Sequence, residues 1–196
     1  DDCEKPDRGN IGRSTPVVLL CPSNADLDNS ELNWVDDWKL EHMAKGNYAA
    51  NFGADTYVSY ENSRLAGAFG VEVLKETSNV VQMKNHVSAK GTFKAGFGQG
   101  VKFRDFDDGL SNTLLLSELI THNSAEDGRG AWTWGGMGGS TFVARYGPNS
   151  TERDRLPICD TTIDEGNPLY CEKYRTDGQQ WASARSQHKG GVMAAR

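Results

Sequence analysis

Residues 15–21 form a short run rich in Val and Leu, closed by Pro22-Ser23-Asn24, and this pattern predicts a buried strand ending in a turn. Residues 26–42 carry Leu27, Leu32, Trp34, Val35 and Trp38 at spacings that fit neither a helix nor strict alternation, so they read as a loop holding one helical turn. Residues 47–60 mix small and aromatic side chains as a strand running into a glycine turn does. From 66 to 100 the chain is polar and broken by glycines, with Phe69, Phe93 and Phe97 as isolated anchors, which predicts a long surface excursion.

Residues 101–106 alternate apolar with polar at period two, Asp107-Asp108-Gly109 is a turn signal, and 113–120 reads as a second strand. The unit is hairpin-like, with a short helical turn over 108–113, capped by Asp108, as the alternative. Two further strands are expected at 131–134, presenting Trp132 and Trp134 on one face, and at 140–146. Residues 148–173 form an irregular loop, and 182–188 lead into an apolar run at 192–195. No repeat or linker divides the chain, so residues 1–196 are read as one domain, α+β and mainly antiparallel β with long loops. The 22 glycines in 196 residues, well above the usual ~7%, support turns and loops over a helical bundle.

Charge narrows the function classes. With 21 basic against 27 acidic side chains the net charge is −6, which argues against nucleic acid as partner, since that binding rests on clustered Lys and Arg. No apolar run approaches the ~18 residues of a spanning helix, so no membrane contact is expected of this fragment. The chain opens Asp1-Asp2-Cys3-Glu4 and closes inside an apolar run, and both boundaries read as those of a piece of a longer product. Cys3, Cys21, Cys159 and Cys171 allow three disulfide connectivities. None has the two-residue gap of a zinc knuckle or redox motif, and at least one structural disulfide is expected, with Cys159–Cys171 favoured and Cys3–Cys21 the other neighbouring pair.

Three stretches carry a resemblance: Leu20-Cys21-Pro22-Ser23; Asp108-Gly109-Leu110-Ser111-Asn112-Thr113 with Ser117-Glu118; and residues 183–192, which include His188, Gly190 and Gly191. Together they resemble a large family of uncharacterised bacterial secreted proteins with a prepilin-type N-terminal cleavage and methylation segment and a C-terminal signature of His, nine residues, then Asp-Gly. Asn47-Tyr48-Ala49-Ala50-Asn51 and Pro148-Asn149-Ser150 sit where that family has similar residues. Two departures stand out: the prepilin helix is absent, and the chain stops two residues short of the signature Asp. The resemblance implies the globular head of a pilin-like or pseudopilin-like protein, related to type II secretion, without its stem helix. It would sit at the cell surface or outside the cell, and self-associate or join other pilin-like subunits through the missing helix. It implies architecture and no activity.

Asp105, Asp107 and Asp108 bunch before Gly109 and offer hard oxygen ligands for calcium, although the spacing is not that of an EF-hand and the plainer reading is a solvated turn. Asp26, Asp28, Ser30 and Asp37 match EF-hand oxygen positions, but Glu31 stands where the sharp turn wants glycine. Calcium is thus the one cofactor entertained. Asn112 and Thr113 are expected to satisfy backbone groups of their turn. Glu118, set among leucines, is costly to bury unless Arg185 or His188 pairs with it, the alternative being an outward-facing side chain. No Gly-x-Ser-x-Gly elbow or His-Glu-x-x-His helix occurs, and His42, His86, His122 and His188 lack a catalytic setting, so no enzyme is expected; a hydrolase using Ser183 or Ser186 with His188 is the minor alternative. Trp132 and Trp134 are read as core before carbohydrate platform, and Asn149-Ser150-Thr151 as a turn before a glycosylation acceptor. The reading is a structural or surface-presented subunit, with an extracellular glycan- or calcium-binding module as the alternative.

Overall fold

The computed structural model describes residues 11–24, 30–34, 40–56, 67–69, 72–73, 81–82, 94–96, 103–106, 109–173 and 179–196. Its centre is a mixed four-stranded sheet of order β11-β7-β3-β8, in which β3 (Tyr48–Asn51) pairs antiparallel with β7 (Leu116–Glu118) and parallel with β8 (Thr141–Phe142), while β11 (Ala194–Ala195) closes the far edge. The register sets Tyr48 opposite Glu118 and Ser117 opposite Ala194. On one side Ala49, Leu119, Phe142 and Ala184 pack as a small core.

Two satellite pairs flank this sheet. β1 (Glu31–Trp34) and β2 (Leu40–Ala44) form an antiparallel pair with a bulge between Leu32 and Trp34. It buries Leu32 and Leu40 against Ala131 and Ile158. β9 (Asp154–Leu156) and β10 (Cys171–Lys173) pair in parallel, and the Cys159–Cys171 disulfide closes the chain between them. Leu156, Cys159 and Cys171 join Phe52, Met137, Val143 and Trp181 in the largest apolar cluster. β4 (Glu72–Val73), β5 (Val81–Gln82) and β6 (Lys94–Gly96) make a separate antiparallel sheet of order β4-β6-β5.

Among the described residues the helical segments are single 3-10 turns of three residues, such as Val17–Leu19 and Leu110–Asn112. The α part of the expected α+β class is therefore reduced to these turns, and strands with long loops dominate. No helix of the described residues is long and apolar enough to cross a membrane.

Several expected elements differ. Residues 17–19 are an exposed turn and not a buried strand: Pro16 fixes φ at −55°, and its carbonyl accepts the Leu19 amide at 2.8 Å. The loop expected over 26–42 contains β1 and the start of β2. The hairpin expected over 101–120 is absent, since Phe103–Asp105 is a 3-10 turn. The alternative helical turn exists over Leu110–Asn112, but Gly109 occupies its N-cap, with φ +80° and no side-chain cap. Residues 131–134 form a turn in which the Trp134 amide donates to Ala131 O at 2.9 Å. The Trp134 ring lies so close to glycine backbone that a Cβ on Gly136 would stand 2.1 Å from its Cζ2 and one on Gly128 2.5 Å from its Cζ3. Part of the glycine excess thus makes room for an aromatic ring.

Beneath β9 runs a chain of buried charges. Arg129 is 1% exposed and forks onto Asp127, with Nε to Oδ1 at 2.8 Å and a terminal NH2 to Oδ2 at 2.6 Å. The same NH2 donates to Leu169 O at 2.7 Å. Asp154 lies between Arg129 and Arg185 and accepts the Ser183 amide at 2.9 Å. Lys45 reaches in from the end of β2 to donate to His122 O at 2.7 Å and Ser124 O at 2.6 Å.

Candidate functional site

Three segments far apart in the chain meet beside the paired inner strands β3 and β7 of the central sheet. The first is the turn after residue 20. Asn47, which is 1% exposed, accepts the Cys21 amide on Oδ1 at 2.9 Å, and its own amide donates to Leu19 O at 2.7 Å. Its side-chain amide donates to Thr121 Oγ1 at 2.9 Å, so one buried asparagine locks the N-terminal segment to the sheet. The second is the end of β7, where Glu118 is 1% exposed and its Oε2 accepts the Met193 amide at 2.6 Å. The third is the loop over 186–191. There Asn149 accepts the Ser186 amide at 2.7 Å and donates to Gly191 O at 3.0 Å, while Ser186 Oγ accepts the His188 amide at 3.1 Å.

These frames aim four polar side chains at one point. His188 Nε2 lies 3.2 Å from Glu118 Oε1, 3.2 Å from Ser23 Oγ and 3.4 Å from Cys21 Sγ, and Cys21 Sγ is 3.0 Å from Ser23 Oγ. Cys21 is buried, whereas the His188 side chain is 40% exposed, so the cluster opens to solvent on the imidazole side. Tyr48, paired with Glu118 across the strands, holds its phenolic proton more tightly than usual, because of burial first and then the neighbouring Glu118 and Cys21.

The chemistry of this arrangement follows from a single ring nitrogen. A nucleophile–base–acid relay needs the nucleophile on one imidazole nitrogen and the orienting carboxylate on the other. Here thiol, hydroxyl and carboxylate all face Nε2, so the carboxylate occupies the position from which a base would take the proton. The geometry suits a shared hydrogen-bond node or a cation held between convergent lone pairs.

The five stretches that carry the resemblance are partly reunited here. Glu118 and His188 touch, Cys21 comes from the first, Asn47 and Tyr48 from the fourth and Asn149 from the fifth. Gly190 and Gly191 belong to the His188 loop, whereas Gly109 and Ser111 stay on the outer turn, where Thr113 Oγ1 donates to Gly109 O at 3.2 Å. Asp107 and Asp108 lie outside the described residues, as does the side chain of Asp105, so the expected calcium cluster there is not placed. Asp26, Asp28, Asp37, His86 and Cys3 also lie outside them. Cys21 itself is a free thiol, and Cys3, its partner in the alternative pairing, lies outside the described residues. Ser183 and Ser186 do not contact the His188 ring; the serine that does is Ser23, missed because it reads as part of a turn.

A family profile described as a protein of unknown function (DUF1559) matches residues 3–196. The chain belongs to this bacterial DUF1559 family. Its match takes in each of the segments that build the cluster around His188. No curated protein and no solved structure matches the chain.

Proposed function

We propose that this DUF1559 chain is the non-enzymatic head of a pilin-like, prepilin-exported protein, displayed at the cell surface and assembled with copies of itself or with other pilin-like subunits. The observation that carries the reading is the exposure of apolar side chains in the N-terminal segment. Ile11, Val17 and Val18 are 69%, 84% and 80% exposed although their segment is hydrogen-bonded firmly to the sheet. Neighbouring apolar side chains left in solvent on a segment tied to the sheet offer a surface for another chain segment to cover. The Cys159–Cys171 disulfide is consistent with an oxidising, extracytoplasmic setting. The crowding of thiol, hydroxyl and carboxylate on His188 Nε2 supports the non-enzymatic reading, because a nucleophile–base–acid relay needs the carboxylate on the other ring nitrogen.

The test is electron microscopy of surface material from cells making the full-length protein with Val17→Asp and Val18→Asp together. Loss of filaments with an unchanged melting midpoint of the isolated head supports the reading. Filaments that persist in the double variant, or that never form with the unaltered protein, overturn it.

A further inference from the structure

The thiol of Cys21, a carboxylate oxygen of Glu118 and a ring nitrogen of His188 lie within 4.8 Å of one another, each residue carried by a different segment and held by a hydrogen bond to or from backbone. With Zn–N of about 2.0–2.1 Å, Zn–O of about 2.0–2.2 Å and Zn–S of about 2.3 Å, tetrahedral ligation sets N and O about 3.4 Å apart and N and S about 3.6 Å apart. The observed separations from Nε2 are 3.2 Å and 3.4 Å, each about 0.2 Å short of those values, and all three donor atoms lie within 4.8 Å of one another.

The structure assigns to this cluster a zinc-type divalent metal site with Cys21, Glu118 and His188 as ligands. Donor chemistry decides the metal class. Thiolate and imidazole with one carboxylate select zinc or a neighbouring d-block ion, whereas calcium asks for six or more oxygens. Charge agrees: one thiolate and one carboxylate neutralise a dication, so the buried Cys21 and Glu118 would lie in a site of no net charge. Binding displaces the Cys21 thiol proton to solvent, and no electron is transferred.

The outer contacts favour this assignment. Met193 N–H occupies Glu118 Oε2 and turns Oε1 toward the histidine, and Asn47 fixes the Cys21 backbone. Three protein ligands leave a fourth position, and the cluster is open to solvent at His188, beside which Ser23 Oγ lies 3.2 Å from Nε2 and 3.0 Å from Cys21 Sγ. That is the coordination number of an open site, able to take water or a donor atom from a partner. The inference goes beyond the pilin-like reading and does not depend on it.

The experiment uses the 196-residue chain with its Cys159–Cys171 disulfide intact. Zinc is titrated in, excess is dialysed away, and the retained metal is measured by mass spectrometry; cobalt(II) then replaces zinc as spectroscopic probe. We expect about one retained equivalent, a thiolate-to-cobalt charge-transfer band with tetrahedral d–d intensity, and protection of the Cys21 peptide from alkylation. Cys21→Ser should remove the charge-transfer band and His188→Ala should abolish retention, each with near-ultraviolet circular dichroism as the check of folding. Should a variant fail that check, alkylation of Cys21 in the unaltered protein, with and without zinc, decides alone. No retained metal, a cobalt spectrum without thiolate character, unprotected Cys21, or Cys21 found in a disulfide with Cys3 would each overturn the assignment.

Discussion

The carboxylate of Glu118 is shared between two partners of the C-terminal segment: Oε1 faces His188 Nε2 at 3.2 Å and Oε2 accepts the Met193 amide at 2.6 Å. A carboxylate almost wholly out of water keeps its charge only if such partners replace its hydration. Glu118→Gln preserves the shape and the Met193 contact but removes the charge. We expect it to lower unfolding stability by about 2 kcal/mol in urea titrations run with chelator present, which keeps any metal contribution out of the measurement. In a double-mutant cycle with His188→Ala, additivity of the two changes would show that the pair is not coupled.

The cluster was partly legible in the sequence, because a glutamate among five aliphatic neighbours demands a buried partner and His188 was one of two candidates. What could not be read was which side chains surround that pair. Cys21 looked like half of a disulfide, and Ser23 like punctuation after a strand. The strand itself failed for a local reason: Pro16 starts a 3-10 turn, which leaves Val17 and Val18 in solvent, and a short apolar run does not distinguish these outcomes. The β1–β2 pair was invisible because a bulge at Leu32–Trp34 breaks period two and His42 adopts φ +55°, its amide held by Asn33 Oδ1 at 2.7 Å.

Asp127 and Arg129 should be among the least replaceable charges in the molecule. Burial pushes the Asp127 carboxyl up, but the Arg129 guanidinium and its hydrogen bonds, with Lys45 beyond, outweigh that and hold it below the usual carboxylate range. Asp127→Asn leaves Arg129 buried against half a partner, and we expect a loss of about 3–5 kcal/mol. Chemical denaturation measures it; a loss below about 1 kcal/mol would mean that Asp154 alone compensates Arg129.

Lys45 gives the fold a pH dependence of unusual sign. Burial lowers its pKa to about 8; Asp127 and Asp160 oppose this, and Arg129 adds to it. Between about 8 and the ordinary lysine value of 10.5, the unfolded chain holds a proton that the folded chain has released. Unfolding then takes up a proton, so Lys45 makes stability rise with pH across that window, by at most about 1.4 kcal/mol per pH unit. The stability difference between the native protein and Lys45→Met, measured from pH 8 to 10, should change with that slope, and a flat difference would contradict the lowered pKa.

The Cys159–Cys171 bridge spans a sequence separation of 12, and both sulfurs belong to the main apolar cluster. The loop-closure relation for that separation gives about 3 kcal/mol of destabilisation for loss of the cross-link. The buried hydroxyls of a serine pair add to it, so Cys159→Ala with Cys171→Ala should lie nearer 3 and the serine pair above it. Equal losses for the two pairs would show that the site readily hydrates.

Glycines at positive φ separate backbone need from steric need. Gly109, at φ +80° and ψ 148°, and Gly190, at φ +86°, have nothing within 4 Å of the place a Cβ would occupy, so Gly109→Ala and Gly190→Ala meet only the conformational penalty of about 1–3 kcal/mol. Gly130 has nearly the same φ, +79°, but its added Cβ would stand 1.9 Å from Thr121 Cγ2 and 2.3 Å from Gly46 O. The Gly46 amide donates to Gly130 O at 2.7 Å, so neither backbone can withdraw without breaking the contact that ties β2 to this loop. Gly130→Ala is therefore expected to cost clearly more than either motif glycine, and adding Thr121→Ala should recover only part, because the clash with Gly46 O remains. Thermal melting of the four variants checks the order; full rescue by Thr121→Ala would place the whole penalty on the threonine methyl instead.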